Sequence, residues 1–165
     1  NCIEGCLAVV SMKSRLDKKE LFDSLENLAS LPEKRPLGDR NVIGRPILNF
    51  DDFPYKVMVA SSGIALETIE KHLNAFYQDN PDVPLNRRPN LIYVAGQCNI
   101  IRAMTGASRL RNGEEIPIGD FYLETVSPNV FGIGRIVSEV QAIALASQFI
   151  NYQYFDLINQ LPGEI

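Results

Sequence analysis

Lys13 carries the most chemical promise in this chain. It closes an apolar run, Leu7-Ala-Val-Val-Ser-Met-Lys13. An ammonium at the end of such a strand is costly to bury without a partner. It therefore either meets a phosphate or a carboxylate, or simply emerges into solvent where the strand stops. Other candidates are weaker. Arg87-Arg88 and Arg109-x-Arg111 can reach phosphates, but scattered loop arginines are more often only solvated. Ser61-Ser62-Gly63 precedes a helix, where free backbone N–H groups hold anions, although an N-cap explains it as well. Gly132-x-Gly134 lacks the third glycine and the preceding strand of a dinucleotide site. The single histidine, His72, reads as a surface helix residue and supports no Ser-His-Asp set. Tyr122, Tyr152 and Tyr154 read as packing residues.

These residues must be positioned by alternating strands and helices. After the first strand, Ser14-Arg15-Leu16 is a turn. Asp17-x-x-Glu20 then has the form of a capping box, with Asp17 capping and Glu20 reaching back. Leu21, Phe22, Leu25, Leu28 and Ala29 recur at helical spacing until about Ser30, and Pro32 stops the helix. Residues 32–53 are a long loop rich in Pro, Gly and charge. Its basic residues Lys34, Arg35, Arg40 and Arg45 suit groove contacts to nucleic acid.

Tyr55–Ala60 reads as a second strand, followed by a helix carrying Ile64, Ile69, Leu73, Phe76 and Tyr77. Asn80–Pro89 is a loop. Leu91–Ala95 and Cys98–Arg102 are strands around a tight turn at Gly96-Gln97. Arg111–Glu115 is a turn and Phe121–Thr125 another strand. Gly132–Arg135 opens an apolar helix from Ile136 to about Ile150, central or subunit-facing, and residues 152–161 form a last short helix or edge strand. The order β-α-β-α-β-β-β-α predicts an α/β fold, a mixed sheet flanked by helices.

Composition narrows the classes. The chain has 165 residues, 45% apolar and 22% charged, which fits one folded domain and excludes wholesale disorder. A net charge of −4 gives no whole-chain basic field for nucleic acid. Apolar stretches are too short to span a membrane. Cys2, Cys6 and Cys98 have no zinc-site spacing and read as free thiols of a reducing cytoplasm. The chain starts at Asn1 and enters an apolar strand almost at once, so it reads as a fragment with earlier segments missing.

Residues 4–28 also resemble a known family. Glu4-x-x-x-Ala8-Val9-x-x-x-Lys13, a short turn, and a helix ending Glu-Asn-Leu-Ala-Ser are similar to the core of the PD-(D/E)XK nuclease superfamily. Within it, the pattern is most similar to the DUF6602 group and to the NucC-like effector nucleases of CBASS antiphage systems. The resemblance implies a restriction-endonuclease-like core and a Mg²⁺-dependent endonuclease that hydrolyses DNA phosphodiesters. In that chemistry carboxylates hold Mg²⁺ beside the scissile phosphate, and the lysine, here Lys13, steadies the attacking water and the developing charge. It further implies a homo-oligomer, an activating cyclic oligonucleotide and a role in antiviral defence.

The chain departs from the family pattern at one position. Two residues before the lysine the family has Glu or Asp, and this chain has Ser11. A neutral hydroxyl is a poor replacement for an anionic Mg²⁺ ligand. The family's first acidic ligand lies on an earlier strand, which would precede Asn1. Two explanations compete. In one, the metal-binding glutamate has moved to the following helix, as in restriction enzymes with Ser-x-Lys. Glu26 is then the candidate, with Glu20 spent on capping and Asp23 lying away from the apolar face. In the other, cleavage is lost and a structural, assembly or ligand-binding role remains.

Overall fold

The computed structural model describes residues 6–32, 54–103, 108–109, 113, 115–124 and 128–147. Its elements are β1 (Ala8–Lys13), α1 (Lys18–Ala29), β2 (Tyr55–Ala60), α2 (Leu66–Asp79), a 3₁₀ turn (Leu85–Arg87), β3 (Leu91–Val94), β4 (Cys98–Arg102), β5 (Ser108–Arg109), β6 (Glu115–Ile116), β7 (Phe121–Glu124) and α3 (Pro128–Ser147).

The main sheet has the order β1-β2-β3-β4-β7. β1, β2 and β3 run parallel, with Lys13 opposite Ala60 and Ala60 opposite Val94. β4 adds antiparallel to β3, and β7 adds antiparallel to β4. A parallel pair needs a long crossover, and α1 and α2 supply the two here. The hairpin β3–β4 turns through Ala95-Gly96-Gln97. Gly96 takes a φ of 73°, a left-handed conformation that glycine adopts at no steric cost.

Alternation along the strands divides the core into two layers. Met58, Ala60, Ile92, Val94, Cys98 and Ile100 pack with Leu21, Leu25 and Leu28 of α1 and with Ile69, Leu73 and Phe76 of α2. Tyr55, Val57, Leu91 and Ile101 face the other way, against Ile143 and Ile136 of α3. The mixed α/β sheet flanked by helices is therefore as expected.

Several boundaries differ from the sequence reading. α2 starts at Leu66, so Ile64 precedes it, and its N-cap is Ala65 with no side-chain cap. α3 starts at Pro128 and runs through both Gly132 and Gly134. Gly132 sits inside the helix because the helix crosses the sheet there. A Cβ at this position would collide with the Tyr93 ring. α3 is also not apolar on every side of its core contact, since Arg135 and Glu139 are half-buried and ion-paired. The small β5–β6 pair has no counterpart in the sequence reading. The basic segment with Lys34, Arg35, Arg40 and Arg45, together with Cys2, Arg111 and residues 152–161, lies outside the described residues.

No helix among the described residues is long and apolar enough to cross a membrane.

Candidate functional site

The site is the corner where β1 ends and α1 begins. Three backbone hydrogen bonds fix this corner. Leu16 donates its amide to the Ser62 carbonyl at 2.8 Å, and its own carbonyl accepts from Ile64 at 3.0 Å. Ser61 donates to the Lys13 carbonyl at 3.2 Å. The loops after β1 and β2 are thereby stitched together, and Leu16 is buried beneath them. These bonds occupy Ser61 and Ser62 with the backbone of the neighbouring loop. Ser62 also donates its hydroxyl to the Ser14 carbonyl at 3.3 Å.

Ser11 and Lys13 lie on the same face of β1 as Val9, the face covered by α1. The Ser11 hydroxyl donates to the Ser24 hydroxyl at 3.0 Å. Ser24 is fully buried in α1, within the stripe Leu21, Leu25, Leu28. Lys13 reaches past this pair. Its Nζ lies 2.5 Å from Glu20 Oε2 and 3.9 Å from Asp23 Oδ2. The lysine side chain retains a fifth of its surface exposed, Glu20 about a third and Asp23 half.

The Asp17–Glu20 capping box forms by half. Asp17 Oδ1 accepts the Glu20 amide at 3.0 Å, so α1 is capped as expected. The Glu20 side chain does not reach back to complete the box. It turns to Lys13 instead. The expectation that Glu20 is spent on capping is corrected, and the physical reason is the helix period. Glu20 stands one turn before Ser24, so the two share a flank. Asp23, three residues on from Glu20, is adjacent to it on the same side. Glu26 lies another three residues on and a further 60° round the helix. It is exposed and forms no ion pair with Lys13 among the described residues. The polar Ser24 in an apolar stripe was the available signal for this flank.

In this arrangement the described residues present no ready-made magnesium site. Ser11, two residues before Lys13, presents a neutral hydroxyl already donating to Ser24. The nearer carboxylate, Glu20, is closed on an ammonium. Among the described residues no group of three or more His, Cys, Asp or Glu stands close enough together to hold a metal ion. What the corner offers is one ammonium between two carboxylates, a local charge of −1 at neutral pH.

The remaining candidates have structural partners. Arg87 donates to the Ala29 carbonyl at 3.3 Å, tying the 3₁₀ turn to the end of α1. The Arg88 guanidinium lies 4.3 Å from the Tyr77 ring centroid, and Tyr77 stacks on Phe121. His72 packs edge-on to Phe22. Tyr122 packs in the layer beneath α3. Cys98 is buried, and burial pushes its thiol pKa up.

Two polar features went unread in the sequence. Lys56 and Arg102 are fully buried at the end of the sheet away from Lys13. Lys56 donates its ammonium to the Pro54 carbonyl at 2.5 Å, and its backbone amide bonds Asn90 at 2.7 Å. On the opposite face, Glu124 of β7 accepts from Asn99 at 3.1 Å and pairs with Arg135 of α3 at 2.6 Å. This bridge fastens α3 to the sheet.

Compared with known proteins, the chain matches no family model and no curated sequence.

Proposed function

We propose that this chain is a nuclease-type module of the PD-(D/E)XK kind that engages the phosphodiester backbone of DNA through Lys13 and has lost metal-dependent cleavage. The observation that carries the loss of cleavage is the Ser11–Ser24 hydroxyl pair. A carboxylate two residues before the lysine is what would anchor Mg²⁺. Here that place holds a small neutral contact, sealed against a fully buried helix residue. The order β1-α1-β2, with its lysine at the strand end, supports the likeness to the nuclease core.

A second reading is favoured by Glu20 and Asp23. Two carboxylates from α1 already converge on Lys13, so an endonuclease with its acids supplied by the helix would use these residues rather than Glu26.

One experiment separates the readings. The chain is incubated with supercoiled plasmid in Mg²⁺ and in Mn²⁺, with and without cyclic oligonucleotides, and duplex binding is followed by fluorescence anisotropy at fixed salt. The first reading expects no nicking and duplex binding that weakens in Lys13→Met. Metal-dependent nicking abolished by Lys13→Met and by Glu20→Gln establishes the second. Absence of both nicking and binding overturns both.

A further inference from the structure

We infer that Glu20 is an internal competitor for the phosphate at Lys13, so that α1 restrains the module's own affinity for nucleic acid. The inference rests on the reading of Lys13 as the residue that meets the DNA backbone.

The geometry is that of an occupied site. The Lys13 ammonium can donate three hydrogen bonds, and Glu20 takes one in a charge-assisted contact. Asp23 adds a second negative charge at 3.9 Å. An incoming phosphodiester therefore meets a lysine that is neutralised and flanked by excess negative charge. To bind, it must displace Glu20 and approach Asp23.

Glu20 is also held where it competes. Its backbone amide is fixed by the Asp17 cap, which anchors the first turn of α1. At that end of the helix the dipole favours a carboxylate. Yet the Glu20 side chain is about a third exposed, so it can swing into water without unpacking the core. A fully buried pair would be a structural lock. A partly exposed pair over a fixed lysine is a contact that a stronger anion can exchange.

The test uses the full chain and a short DNA duplex, read by fluorescence anisotropy at constant ionic strength, because such affinities depend steeply on salt. Circular dichroism confirms that each variant is folded. Glu20→Gln is expected to tighten binding roughly threefold to tenfold, the scale set by removing one partly exposed charge from a phosphate contact. Asp23→Asn is expected to tighten it less. Glu26→Gln removes the same charge from the same helix away from Lys13, and is expected to leave affinity within about twofold. Adding Lys13→Met to Glu20→Gln is expected to abolish the gain.

Equal tightening by Glu20→Gln and Glu26→Gln overturns the inference, since net charge alone then explains it. So does an unchanged affinity in Glu20→Gln when the wild-type chain binds in a Lys13-dependent way, an outcome that leaves the DNA-binding reading standing. If neither the wild type nor Glu20→Gln binds the duplex, both fall together.

Discussion

The hydroxyl of Ser11 on β1 donates to the hydroxyl of Ser24 on α1 across 3.0 Å, and Ser24 has no exposed surface. The pair joins the strand to the helix beside the apolar stripe Leu21, Leu25 and Leu28. Removing the Ser11 hydroxyl leaves that of Ser24 buried without this partner. Ser11→Ala is therefore expected to cost about 1–3 kcal/mol, and the double change Ser11→Ala with Ser24→Ala less than the sum of the singles. Urea unfolding of the two singles and the double closes the cycle. Strict additivity would show that the hydroxyls do not interact.

Asp17 has a separable role. Its carboxylate accepts the Glu20 amide, one of the orphan donors of the first turn. Asp17→Ala is expected to cost about 1 kcal/mol, and Asp17→Ser to retain most of that, because serine caps nearly as well. The midpoint of denaturant unfolding measures both. A loss in Asp17→Ser as large as in Asp17→Ala would mean that the carboxylate acts through its charge rather than as a cap.

The two helical glycines of α3 should respond with opposite signs. Gly132 faces the Tyr93 ring, which is almost wholly buried. Alanine there gains about 1 kcal/mol of helix propensity but forces the helix off the sheet, at a cost of about 1–3 kcal/mol. The clash wins, and Gly132→Ala is expected to lower the melting temperature. Gly134 has open space around the corresponding Cβ, so Gly134→Ala is expected to stabilise by up to about 1 kcal/mol. Thermal melts of the two variants decide the matter.

Alkaline pH should weaken the fold through its tyrosines. Burial pushes the Tyr77 hydroxyl well above its ordinary value of 10.0, against the opposing pull of Arg88 and Arg102. Burial does the same for Tyr55, with Glu139 adding to it. In both cases the folded state holds its proton where the unfolded state has released it. The resulting stability is fully present below about pH 10 and is lost as pH rises beyond it. Urea titrations at pH 8, 10 and 11 should show a falling midpoint, with the steeper fall over the last interval. Tyr77→Phe should flatten part of that fall.

Much of the fold was legible because local and long-range signals agreed. In α1, the Asp17 cap and the apolar recurrence at Leu21, Leu25 and Leu28 point to the same helix, and the structure has it at residues 18–29. The strands β2, β3 and β4 read as short apolar runs between turn residues and are found almost where their patterns end. α3 was misread at its start because glycine is a poor helix former, and Gly132 is tolerated only where Tyr93 comes close. Pro128, well suited to a first helical position, was the contrary signal. The candidate site was legible in its lysine and serine, not in its acids. Assigning Glu20 to the cap exhausted it on paper, whereas its backbone serves the cap and its side chain remains free for Lys13. The Glu124–Arg135 bridge escaped because it joins residues that only the folded sheet brings together.

The stitched loops at Leu16 bear on how the molecule opens. Most loop amides exchange with solvent deuterium through small local fluctuations, far below the free energy of global unfolding. The Leu16 and Ile64 amides are bonded between the loops that follow β1 and β2, so freeing either one parts those two loops. Their protection should match that of the central strands, which makes the hinge-like corner beside Lys13 one of the last places to breathe.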